Sequence, residues 1–140
     1  MSAIRKTEPH QNMEFHMGLL HFVHLLVMVD GLIDQREKAA MLRIKLEENI
    51  PDWLFDDFDA SISHKTERQI YEEGVDMLNH CTEDERLCAF VHLYRLSESD
   101  DNIHVKEVRF LLYSLKATKI AFEDVILSTR MSKAAALRWL

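Results

Sequence analysis

Apolar residues fall along the chain in blocks with a helical period. From Met13 to Val29 the chain is apolar on nearly all sides (Phe15, Leu19, Leu20, Phe22, Val23, Leu25, Leu26, Val27). A helix that is hydrophobic all round belongs in the middle of a bundle. Gly31 follows at once, where a helix-ending left-handed residue is expected. Asp34 and Glu37 have the spacing of a reciprocal cap and open a second helix, carried by Ala40, Met41, Ile44 and Leu46 to about Glu47. Pro51 suits the first turn of a third helix, with Trp53, Leu54, Phe58 and Ile62 as its apolar residues. Thr66 opens a fourth, with Ile70, Tyr71, Val75 and Leu78. Thr82 and Glu85 form a second capping pair, before a buried fifth helix (Leu87, Cys88, Phe90, Val91, Leu93, Tyr94, Leu96). Residues 97–104 are polar and acidic and predict a loop. A sixth helix carries Val108, Phe110, Leu111, Leu112 and Leu115, and two short ones, about 121–128 and 132–139, close the chain. No alternating period-2 run competes. The pattern predicts an all-α, single-domain bundle of seven to eight helices (12–140) behind a flexible arm (1–11).

Composition sharpens this. One hundred and forty residues make one domain, long enough to bury a core without disulfide or metal. Three Gly and two Pro are too few for the turns of a sandwich or barrel, and no Gly-rich phosphate cradle occurs. The net charge of −7 argues against nucleic acid and anionic membrane as partners. Cys81 and Cys88 are too few for a disulfide framework. Seven positions apart on helices they lie about two turns apart, too far for a bridge. Two reduced, packed thiols in a cytoplasmic protein follow. The longest apolar stretch, Met17–Val29, is 13 residues with two histidines inside it. It falls short of the ~20 needed to span a bilayer and lacks the flanks of a signal peptide, so no direct membrane insertion is expected.

The chain also resembles itself. Displaced by 70 positions, Asp30, Ile33 and Glu37 meet Asp100, Ile103 and Glu107, while Leu26 meets Leu96 and Leu42 meets Leu112. Each copy lies between an incoming apolar helix and an outgoing amphipathic one. Two pseudo-symmetric halves are expected, each with an acidic inter-helix turn, at 30–37 and 100–107. Helix stop and cap explain most of the first turn. Asp30 is left over, at a helix C-terminus where the dipole disfavours an anion by about 0.3–1 kcal/mol. The second copy repeats this with Glu98, Asp100 and Asp101, and His104 replaces the capping Asp. Carboxylates placed where the backbone repels them suggest a compensating divalent cation, for which Ca²⁺ and Mg²⁺ take oxygen ligands. The spacing is not that of an EF-hand, since Leu32 and Met41 occupy positions that must carry ligands.

The pattern D-G-x-I-x-x-x-E between two apolar helices, intact at Asp30, Gly31, Ile33 and Glu37 and degenerate at Asp100, Ile103 and Glu107, resembles the TerB-like family over roughly residues 12–128. The resemblance implies a pseudo-symmetric helical bundle, metal binding through acidic residues and a role in bacterial stress response of the tellurite-resistance kind. The positions carried over are Asp30, Asp34, Glu37, Asp100 and Glu107. This chain departs where Asp101 stands for the Gly and His104 for the acidic cap. A His among carboxylates tilts such a site towards Zn²⁺, Mn²⁺ or Ni²⁺, or marks its loss. The expected metal residues are thus Asp30, Asp34, Glu37, Asp100, Asp101, His104 and Glu107.

Other patterns are weaker. Among eight histidines, His21 and His24 share a helix face, as do Cys88 and His92. Were the two helices neighbours, a Cys-His₃ zinc site would result; ordinary packing at bundle edges is the blander expectation. Glu-x-x-His, HExxH and GxSxG are all absent, so a non-enzymatic protein is expected. Residues 47–85 contain 13 acids against Lys65 and Arg68, while the flanks are net basic. A solvated face explains this belt. The alternative function is a metal-independent interaction module that uses the 47–85 face to dock a basic partner or a second copy's basic region.

Overall fold

A computed structural model describes residues 9–28, 35–98 and 105–138, with side chains over 13–28, 38–97 and 106–131. The described residues form seven helices and no strand: α1 (Pro9–Met28), α2 (Gln35–Glu47), α3 (Asp52–Ile62), α4 (Glu67–Asn79), α5 (Glu83–Glu98), α6 (Val105–Thr118) and α7 (Phe122–Arg138). The all-α expectation holds. None of these helices is long and apolar enough to cross a membrane.

The all-round apolar helix takes the centre, as its pattern requires. α1 packs on α2, α3, α4 and α5, with Leu19, Leu20, Phe22 and Val23 fully buried. Each such side chain contributes about 1.5–3 kcal/mol by leaving water. The Phe22 ring meets the rings of Tyr71, Phe90 and Phe110, centroid to centroid, at 5.8, 5.9 and 5.8 Å. One residue thereby joins α1 to α4, α5 and α6. α1 and α4 approach closely because both carry glycine at the crossing. A Cβ on Gly18 would meet Leu78 Cδ2 at 2.9 Å, and one on Gly74 would meet His21 Cβ at 3.1 Å.

Two helices stop in the same way. Asn49 has φ 57°, and the Ile50 N–H donates to the Lys45 carbonyl while the Asn49 N–H donates to Leu46. Seventy positions on, Lys119 has φ 60°, and the Ile120 N–H donates to Leu115 while Lys119 N–H donates to Lys116. Both are Schellman ends with a buried Ile as the closing apolar residue. α1 lies on α2, α3, α4 and α5, α5 lies also on α6 and α7, and α4 meets α5 and α6 as well as α1.

Three details differ from the sequence expectation. The C-terminal region is one helix, α7, rather than two. It has no Gly or Pro to break it, and Thr129 Oγ1 donates back to the Val125 carbonyl without interrupting the helix. Pro51 is the N-cap of α3, outside its first turn. Cys81 lies in the turn before α5, its thiol directed at the Met77 carbonyl 3.4 Å away, so the two cysteines do not share a helix face.

Candidate functional site

Five of the seven expected metal residues, Asp30, Asp34, Asp100, Asp101 and His104, lie outside the described residues. Glu37 is the third residue of α2, with its side chain outside the described set. Glu107 sits in the first turn of α6, partly buried, where the helix dipole favours a carboxylate. The described geometry brings a different set together.

The Schellman end of α2 makes Glu48 its C-cap and turns the side chain towards α5, leaving it 23% exposed. On α5, Cys88 and His92 are one turn apart and project on one face. The start of α5 is set by a capping box: Thr82 N–H donates to Glu85 Oε1 at 3.0 Å, and Glu85 N–H to Thr82 Oγ1 at 3.1 Å. His92 Nε2 lies 2.6 Å from Glu48 Oε2, and the Cys88 thiol is 3.6 Å from the same oxygen. Glu47 Oε1 stands 3.8 Å from His92 Nδ1. From α1, buried His16 faces the same group: burial lowers its pKa, and the Glu48 charge opposes that. One ligand atom from each of Glu48, Cys88 and His92 lies within 4.8 Å of the others. This group lines an open cleft of about 400 Å³, with Asp84, Arg95 and Ser128 at its edge.

The electrostatics constrain the chemistry. The hydrogen bond from His92 holds the Glu48 carboxyl below its usual range, against the opposing effect of burial. Burial, followed by the Glu48 charge, pushes the Cys88 thiol up to about 12. A thiol so held keeps its proton at neutral pH. A bound cation reverses this logic, because a coordinating thiol loses its proton to the metal. Thiol, imidazole and carboxylate together form a donor set of borderline softness, which suits Zn²⁺.

His21 and His24 take no part. His21 is fully buried, with Nδ1 2.6 Å from the Met17 carbonyl, its ring edge-on to Phe58 and Nε2 3.6 Å from Glu73. His24 also packs on Phe58. The conceivable Cys-His₃ quartet therefore divides. Cys88 and His92 stay together, and Glu48 stands where His21 and His24 were expected to contribute. A sequence signal for Glu48 existed: Glu47 and Glu48 are adjacent acids at a helix C-terminus, the same dipole-opposed placement that drew attention to Asp30.

Comparison of the chain with protein-family models, with curated proteins and with solved structures finds no match to any of them.

Proposed function

We propose that this protein is a non-enzymatic helical module that binds a divalent transition metal of the zinc class through Glu48, Cys88 and His92. The observation that carries the reading is the convergence of three different ligand types, from two helices, on one cleft. Tetrahedral zinc sets its ligand atoms about 3.3–3.8 Å apart, given bonds of about 2.0–2.3 Å. The Cys88–Glu48 separation of 3.6 Å already fits, and the His92–Glu48 pair needs to open from 2.6 Å. Water or a partner's side chain would complete the shell from the cleft. The paired helix ends at 47–50 and 117–120 support the division into two halves. In that frame Cys88 and His92 correspond to Gly18 and Phe22, and Glu48 to the buried Thr118, so the second junction carries no ligands. The metal group breaks the repeat, as a function added to one junction would.

The TerB-like resemblance rests on Asp30, Gly31, Ile33 and Glu37 and keeps the acidic turns as a second, harder site for Ca²⁺, Mg²⁺ or Mn²⁺. Metal binding is common to both readings, and a part in stress response is what the resemblance alone implies. Titration separates them. Wild-type protein should bind one Zn²⁺ or Co²⁺ in the presence of a chromophoric competitor, with a thiolate-to-cobalt charge-transfer band. Cys88→Ser and His92→Ala should each weaken binding by about tenfold or more, whereas Asp30→Ala/Asp100→Ala should leave it unchanged. Undiminished affinity in Cys88→Ser/His92→Ala sinks the cleft site. Loss in the Asp30→Ala/Asp100→Ala protein alone moves the metal to the turns.

A further inference from the structure

A second cleft opens along α6, where apolar and cationic side chains alternate. The outward stripe of α6 is Val108, Arg109, Leu112, Tyr113 and Lys116, all exposed, with Tyr113 72% exposed and resting its ring on Tyr71. This is the i, i+3, i+4, i+7 spacing by which a helix meets another helix, displayed here to solvent. Beside it opens an apolar cleft of about 610 Å³ lined by Lys106, Arg109, Phe110, Leu112, Tyr113 and Lys116. Three cations rim the apolar floor, and none makes an ion pair with a described residue. On a chain of net charge −7 this patch selects an acidic occupant with an apolar anchor.

The chain carries such an element itself. α3 contains four Asp and no base. Trp53 stands 59% exposed, and Asp56 and Asp57, three and four positions on, share its face and are exposed. Asp52 is taken by Lys45, but Asp56 and Asp57 pair with no described residue. Tryptophan is the side chain most enriched at interface hot spots, and a rim of carboxylates is the complement of a rim of Lys and Arg. At physiological ionic strength the Debye length of about 8 Å screens the repulsion between two chains of like net charge while sparing ion pairs at contact. We propose that the α6 cleft is the docking site for the Trp53 face of α3 from a second copy of the chain. Each copy offers both halves, so two copies close as a dimer if α3 and α6 engage reciprocally, and otherwise extend head to tail. The metal cleft involves other faces, and the two readings stand or fall separately.

Sedimentation of the full-length chain at about 0.15 M salt with chelator present, over about 5–300 μM to cover the weak affinity of a small interface, tests this. Wild type should associate. Trp53→Ala should weaken association by about tenfold or more, a typical hot-spot loss. Arg109→Glu/Lys116→Glu and Asp56→Lys/Asp57→Lys should each be monomeric alone, and their equimolar mixture should associate, because each reversed face then meets its complement. All these positions are exposed, so circular dichroism should show the fold intact. A wild-type chain that stays monomeric throughout, a Trp53→Ala chain that associates as wild type does, or a mixture that stays monomeric overturns the proposal. Association that needs zinc, and vanishes with chelator, also overturns it.

Discussion

A buried and a half-buried histidine on α1, His21 and His24, set a pH dependence at the scale of single residues. Burial lowers His21, helped by the Lys65 charge and opposed by Glu73 and the Met17 carbonyl. Burial also lowers His24, helped by His21. Both are neutral in the folded chain near neutral pH, while the unfolded chain takes up protons near the ordinary 6.5. Stability from this source is complete above 6.5 and lost as pH falls through it towards the lowered folded values. His80 acts in the opposite sense. Glu14 raises it, so its contribution is present below 6.5 and lost as pH rises through the folded value. His80 is exposed, so the α1 pair should dominate. Denaturant unfolding between pH 7.5 and 5 should show stability falling, with the slope reduced in His21→Leu. A slope unchanged by that substitution refutes the assignment. Backbone conformation yields a second prediction. Lys119 holds a left-handed φ that costs an L-residue about 1–2 kcal/mol. Lys119→Gly should stabilise by about 0.5–1 kcal/mol once the added chain entropy of glycine is subtracted, read as a higher urea midpoint with unchanged slope.

At the scale of elements, starts and stops decide where side chains point. Both capping boxes, Thr66 with Gln69 and Thr82 with Glu85, are complete. Thr82→Ala should cost about 1 kcal/mol. Because that cap fixes the start of the helix bearing Cys88 and His92, it should also weaken zinc binding without touching a ligand. The helix crossing between α1 and α4 has its own control. Gly18→Val puts a branched side chain where even a Cβ meets Leu78 at 2.9 Å, so a loss of about 2–3 kcal/mol is expected in equilibrium unfolding. α2 and α6 each expose a leucine, seventy positions apart, Leu42 at 52% and Leu112 at 48%. The α6 copy lies with Lys106, Arg109 and Lys116 along a cleft, which is why docking is assigned there.

The whole molecule is held together at Phe22, which touches rings on three other helices. Phe22→Ala should cost about 3–5 kcal/mol, as large-to-small changes of buried aromatics do. Far-UV circular dichroism and Trp53 fluorescence should unfold together, because the packed helices share this junction. Separate transitions would mean that groups of helices fold independently. The acidic belt of residues 47–85 is partly neutralised in place, by Arg43 to Glu47, Lys45 to Asp52, Lys65 to Glu73 and Arg68 to Glu72. Exposed acids without a described ion pair remain on α3 (Asp56, Asp57, Asp59), on α4 (Glu67, Asp76) and at the start of α5 (Glu83, Asp84), and the α3 set adjoins the exposed Trp53.

The helical class and most of the helix ends were legible in the sequence, though not the start of α1 at Pro9 or the single helix α7. Periodicity and caps are local, and so α1's central place, the end of α2 near Glu47 and the Thr82 cap were legible residue by residue. It also marked Cys88 and His92 as one face, because a four-residue spacing on a helix is a local fact too. What it could not determine was which surfaces meet. His21 and His24, three positions apart, share a face in the same local way, yet helix crossing turns them to Phe58 and Glu73, while the C-cap of α2 delivers Glu48 to His92 across 44 positions of chain. The same holds for α6, whose apolar stripe is indistinguishable in sequence from a buried one. Local patterns state what a face is made of. Only the packing of the other helices decides which face is covered, which carboxylate reaches which imidazole, and which apolar stripe remains open to a partner.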